Sequence, residues 1–444
     1  MLNYQPKSAS PWSIWRVPNF SGGLNLRDAG EDLDDRELTE AKNCLFYNGY
    51  LRSVHGYQTF ADVFRGLGQV IADVTFTDNT NELLLLTTLT FYKLAGSQWQ
   101  YVSDGTSTTL SGAEAAGQTA IGVAERTGFA ANDFVGIALA NGTQHKTQIV
   151  AGYVSATGAG DITVVDAIPA AGASSGAAFV KAALLIGSTD KPADWATAVD
   201  QSKVVFVNGL DKVKIYDKTA NTFKDATGTP SSGNTLARTV LMWQGRIFLG
   251  HTIEGGTLFP QRIRWCAVGD LTNWATGGAG FIDLWDRADA IISLGTLAQY
   301  LQVYKDFQIV RGSYVGAAGR LVLYESMIDN EGPVGIHALS AELDKVVFLS
   351  TTDLYEYRGF NDLKSVGEKI AASLVSTIGE LDPANVNHAF TVGSTDLNTV
   401  FFFFPNVVDE NPPAAYLLLR TNNAWFRRDF THHFTCGGTH KQTT

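Results

Sequence analysis

Cysteine is scarce in this chain: three among 444 residues, at Cys44, Cys266 and Cys436. An odd number, far apart and without a CxxC pair, offers no disulfide framework and fits folding in a reducing cytoplasm. Charge is also sparse, at 17% of residues, and positive charge most of all: 33 Lys and Arg stand against 44 Asp and Glu, for a net −11. Clustered Lys and Arg drive non-specific binding to nucleic acid, so a phosphate-gripping surface is not expected. Long apolar runs are missing. Residues 1–12 hold no run of signal-peptide length, and the most apolar stretch, 400–404, is far too short to cross a bilayer. No GxSxG, HExxH, P-loop or GxGxxG occurs. The expectation is a soluble protein without an ordinary secretion signal, without cofactor and not an enzyme.

What the chain does have is a repeated rhythm. A β-rich run, a short turn, a second β-rich run and a closing aromatic strand recur at a spacing of roughly 40 to 50 residues, which marks a β-propeller of four-stranded blades. The clearest unit is 203–217 followed by 221–225; echoes stand at 82–94 with Trp99, 240–263 with Trp265, 291–310, 345–358, and 399–419 with Trp425. No blade buries both faces alone, so several must stack around an axis. Six units predict six blades. The aromatic strand ends Trp99, Trp265 and Trp425 read as inter-blade packing rather than as a sugar-stacking surface.

Two regions break the rhythm. Within 1–66, residues 34–45 predict a short helix: Asp34 or Asp35 as cap, acids in the first turn, Leu38, Ala41 and Leu45 at helical spacing. Asn48-Gly49 ends it, and 51–57 returns as a strand. Residues 104–183 are rich in Ala, Gly, Thr and Ser yet alternate at 119–125, 134–139, 145–154 and 161–165, with Gly turns between. They predict a small β-barrel or sandwich inserted between the first and second blades. The resulting division is 1–66 as arm, helix and strand, 67–103 as first blade, 104–183 as insert, 184–430 as remaining blades and 431–444 as tail. Near the end, Ile370, Leu374 and Ile378 predict a covering helix over 368–378.

Chemistry-bearing clusters are thin. His432, His433, Cys436 and His440 match known zinc patterns poorly and read as an exposed tail. Ser188-Thr-Asp190 with Trp195 is a partial match to a sialidase Asp-box, but it lacks the Gly and occurs once, so it reads as a turn. The interaction candidates are therefore few. Trp12 and Trp15 sit in an apolar arm that must be buried somewhere, on its own propeller or on a neighbouring subunit. Glu254 lies in the 252–261 loop, and Asp409 and Glu410 in the 406–413 loop. Both loops mix acidic residues with Gly or Pro and read as solvent-exposed turns.

Several motifs carry a family resemblance. Phe20-Ser-Gly-Gly-Leu24, Ala41-Lys-Asn43 and the 49–56 strand with Arg52 and Gly56 resemble the N-terminal signature of tail proteins from short-tailed bacteriophages. Arg262-Ile-Arg-Trp265 with Gly269-Asp270 and Trp274 is similar to a central element of the same proteins. So are Asp289, Ile291, Leu294, Leu301, Val303 and Lys305, then Glu331-Gly-Pro-Val-Gly335 and 347–355. The 104–183 segment also looks like a β-module common in them. Cys266 departs from the family, which usually has Ser there, and the C-terminus is short. The resemblance implies a podovirus-type tail nozzle, also called a tail tubular or packaged-DNA stabilization protein. Such a protein forms a homo-hexameric ring in the virion tail, assembled in the host cytoplasm. It continues the channel below the portal and adaptor rings, passes genomic DNA without sequence-specific contact, and attaches fibres or a tail needle. An acidic chain suits a channel that must not hold DNA. The competing readings are a carbohydrate-binding or carbohydrate-cleaving propeller that recognises a receptor, and a monomeric scaffold propeller.

Overall fold

A computed structural model describes residues 22–28, 33–34, 36–40, 42–47, 50–53, 61–185, 196–317, 320–342, 344–374, 381–394, 398–406, 414–421, 423–430, 434 and 437. The fold is all-β. Five antiparallel meanders of four strands stand as separate sheets, the blades of a β-propeller, spanning 68–101, 235–283, 291–329, 339–365 and 390–429. A further four-stranded meander, 196–225, is half of an eight-stranded sheet whose other half comes from 103–182. The two halves meet at one parallel pairing, Thr222 with Ser103.

Side-chain alternation explains why the sheets stack. In the first sheet, Val70, Leu84 and Phe91 point one way and share a core with Val204, Phe206 and Phe223 of the 196–225 meander. Phe91 and Phe223 stack face to face with centroids 4.2 Å apart. The next junctions repeat the arrangement: Val205 and Val207 against Ile247 and Leu249, Phe248 and Ile263 against Leu301 and Val303, Tyr304 and Ile309 against Phe348 and Tyr357. Each sheet therefore buries its faces only through its neighbours. Residues 103–182 carry a core of their own, with Ile121, Val135, Ile137, Ile149, Ile162 and Phe179 fully buried. The two ends of this segment are paired, Ser103 opposite Ala182. Gln144 exchanges hydrogen bonds with Gln98 and Tyr101 of the first sheet's outer strand, at 2.6–3.3 Å.

The expected helix over 34–45 does not form. The chain there is extended: Gly23–Leu24 pairs in parallel with Glu37–Leu38, and Cys44–Tyr47 pairs with Tyr50–Ser53. Asp34 closes a turn instead of capping a helix, accepting hydrogen bonds from Arg36 and Glu37. Asn43 takes the left-handed conformation at φ 54° and donates its N–H to Arg427, on the outer strand of the last sheet. Sheet pairing with a distant strand outweighs a weak local helix preference. The 368–378 helix is present only as Ala371–Leu374 among the described residues, with Ile370 and Leu374 fully buried as their spacing predicts. No helix of the described residues is long and apolar enough to cross a membrane.

Gly332 belongs to the Glu331-Gly-Pro-Val-Gly335 motif, and its role is spatial. A Cβ on Gly332 would fall 2.0 Å from the Lys305 carbonyl oxygen and 2.7 Å from that of Asp306. Backbone cannot move aside cheaply, so Gly332→Ala is expected to cost about 1–3 kcal/mol or more. Urea unfolding followed by tryptophan fluorescence checks this; an unchanged midpoint would count against so close an approach.

Candidate functional site

A propeller built from meanders has two ends, because every sheet runs the same way. One end collects the connections between second and third strands; the other collects those between first and second strands. Both ends carry exposed apolar side chains: Tyr314, Val315, Val268 and Phe360, 45–59% exposed, lie at or beside third-to-fourth-strand connections of the second end. At the first end, Leu89, Leu210 and Phe307 occupy the second-to-third-strand connection in three meanders, Leu258 lies two residues past it in a fourth, and all four are 41–57% exposed. Trp285, 72% exposed, stands at the same end, in the connection leading to Ile291–Leu297. The 339–365 sheet places Thr351 and Thr352 there instead. In the 390–429 sheet the chain between Thr399–Phe404 and Ala414–Leu419 includes Asp409 and Glu410, which lie outside the described residues.

Glu254 is the one interaction candidate within the described residues; Trp12 and Trp15 also lie outside them. It sits at the tip of a tight hairpin, Arg246–Glu254 paired with Thr257–Trp265, with Gly255 and Gly256 at positive φ in the turn. Its carboxylate is not free. Arg264 donates to Oε1 at 2.9 Å and Oε2 at 2.8 Å, Thr252 donates at 2.9 Å, and Arg262 donates at 3.3 Å. Arg262 also grips Asp283 with two bonds of 2.8 Å, and these bonds raise its pKa. Its guanidinium lies 3.6 Å from the Phe259 ring centre and 4.1 Å from that of Phe281. Two acids thus meet two arginines between aromatic rings, so the cluster presents no net charge and holds the hairpin upright. The arginines went unrecognised as partners in the sequence, although residues two apart on one strand share a face.

The resemblance motifs likewise turn out to hold the fold together. Asp289 and Lys305 form a buried ion pair at 2.9 Å, with Lys305 0% exposed. Ile291, Leu294, Leu301 and Val303, between them in the motif, fill one inter-sheet core. Trp265 donates to the Gly278 carbonyl at 3.0 Å and Trp274 to that of Leu271 at 2.8 Å. Trp99, Trp265 and Trp425 are all buried and offer no stacking surface to an outside ligand. Among the described residues no group of three or more His, Cys, Asp or Glu is placed to hold a metal. The tail residues His432, His433, Cys436 and His440, and the Ser188–Asp190 turn, fall outside the described residues.

No family model matches the chain, and no curated protein matches it. Among solved structures, the computationally designed protein Ika8 is 10% identical with a TM-score of 0.39, over 86% of this chain and 93% of that one. The dihydro-heme d1 dehydrogenase NirN, solved in complex with DHE, is 10% identical with a TM-score of 0.34, over 68% of this chain and 54% of its own. BamB from Moraxella catarrhalis is 14% identical with a TM-score of 0.33, over 76% of this chain and 93% of that one. At such identities and scores none of them bears on what this protein does.

Proposed function

We propose that this chain is a subunit of a phage tail nozzle, a structural protein and not an enzyme. In this reading the 196–225 meander counts as a sixth blade, and 103–182 is a module inserted at the rim. Six copies form a ring in the virion tail. The ring docks against the adaptor, continues the DNA channel, retains packaged DNA and carries fibres or a needle. The observation that supports the reading is a row of exposed apolar side chains in successive sheets, Leu89, Leu210, Leu258, Phe307 and Trp285, which a protein partner spanning several sheets would cover. The ordered motifs of the sequence indicate which partner, an adaptor ring. The net charge of −11 supports a wall that does not bind the DNA passing it. Glu254 serves this role by shaping a loop and not by repelling phosphate, since its charge is matched by arginine.

Electron microscopy of the purified protein and of virions tests the reading. The expected result is a six-fold ring at the tail, with native mass giving a hexamer in the assembled state. A protein that stays monomeric, is missing from virions, and binds or hydrolyses a host polysaccharide would replace this reading with a receptor-recognising propeller.

A further inference from the structure

At the end of the propeller opposite Leu210 and Leu258, a cleft of about 120 Å³ opens between two neighbouring units. One wall is the turn from Ala196–Asp200 to Lys203–Val207, where Gln201 adopts φ 53°. The other is the 269–272 stretch that follows Thr257–Trp265. Asp200, Ser202, Lys203, Asp270 and Thr272 supply its polar lining.

Asp200 is the unusual member. It is 6% exposed, and among the described residues no donor reaches its carboxylate. A buried carboxylate without a partner is expensive, and burial pushes its pKa up while the nearby Lys203 charge acts the other way. The ammonium of Lys203 stands 3.8 Å from Asp217 and does not bond to Asp200. Asp270 is already oriented: its Oδ1 accepts the Thr272 N–H at 2.9 Å and the Thr272 hydroxyl at 2.7 Å, which holds its carboxyl below the usual range. Two carboxylates disfavour an anion, and Leu271 is the one apolar side chain of the lining, too little to hold an apolar ligand.

We propose that this cleft binds a hard divalent cation of the Ca²⁺ class, held by the Asp200 and Asp270 carboxylates with water completing the shell. Oxygen donors of this kind are what Ca²⁺ accepts, and an open cleft leaves room for the waters that two carboxylates cannot replace. So few charged ligands put the site among weak ones, with Kd on the order of 10⁻⁴–10⁻³ M. The bound ion ties the 196–225 meander to the 235–283 sheet at the end away from Leu210 and Leu258.

Calorimetric titration of the full chain with CaCl₂ tests the site. The wild type is expected to bind one ion per chain in that range, Asp200→Asn to bind at least about tenfold more weakly, a difference of about 1.4 kcal/mol, and Lys203→Gln to bind more tightly because a competing positive charge is gone. Asp200→Asn keeps the side-chain shape, and circular dichroism shows whether it folds. No calcium uptake by the wild type would overturn the proposal. So would unchanged affinity in Asp200→Asn, and so would weaker binding in a folded Lys203→Gln.

Discussion

Replacing Lys305 by Met is expected to destabilise the protein by about 3–5 kcal/mol, because it leaves a buried carboxylate without its cation. Lys305 is fully buried at the end of Tyr300–Lys305, its ammonium 2.9 Å from Asp289 and 2.9 Å from the Arg287 carbonyl oxygen. Asp289 has only 6% of its side chain exposed, and it also accepts the N–H of Phe307 at 3.1 Å. The nearest other cation, Arg287, lies 3.7 Å away and is one-third exposed, so it compensates only in part. The double variant Lys305→Met with Asp289→Asn removes both charges and is expected to regain a large part of the loss, since an uncharged pair of similar volume avoids the desolvation penalty. Urea unfolding of the four proteins in a double-mutant cycle measures the coupling. Additive single effects would show that the two side chains do not act as a pair. Phe307 belongs to the row of exposed apolar side chains and Asp289 holds its N–H, so the same pair also fixes one turn of the proposed docking face.

On the nozzle reading proposed above, the triple variant Leu210→Asp, Leu258→Asp and Phe307→Asp is expected to fold but to lose attachment to the tail. These side chains are 57%, 53% and 44% exposed, so the isolated subunit loses little by the change. In a docked ring the same positions would be desolvated. Losing an apolar contact and burying an unpaired carboxylate at each then weakens docking by at least about tenfold per site, since 1.4 kcal/mol is a factor of ten. Complementation of a phage lacking the wild-type protein reads the result: circular dichroism unchanged, and particles without a completed tail. Normal infectious particles from the triple variant would place the docking surface elsewhere and remove the observation on which the nozzle reading rests.

The propeller was legible because its signal is local. Alternation in 203–207 and 214–217, with Asn208-Gly209 between them, defines a hairpin whatever surrounds it, and the structure pairs Val204 with Tyr216 and Val205 with Ile215 accordingly. The same is true of 103–182, where strands at Ala120–Val123, Phe134–Ala138, Gln144–Gln148 and Gly160–Thr163 overlap the alternating runs. The 34–45 segment was misread because its few apolar residues fit a helix as well as an extended chain. Contact with Arg427, nearly 400 residues away in sequence, decides between them. Glu254 was legible as an acidic residue in a turn but not as a neutralised one. Its partners Arg262 and Arg264 reach it only after the hairpin closes and sheet register sets their side.

The sequence by itself determined the all-β class and the repeat of short meanders, because turn residues and period-two alternation act between near neighbours. Only the tertiary structure decided which acids are free and which are matched. It alone showed that the motif residues Asp289 and Lys305 meet in the interior, and that Leu89, Leu210, Leu258 and Phe307 gather at one end while Asp200 faces a cleft at the other. The physical reason is that these relations join residues far apart in the chain. Stacking one sheet on the next fixes them, and no local pattern encodes which faces will meet.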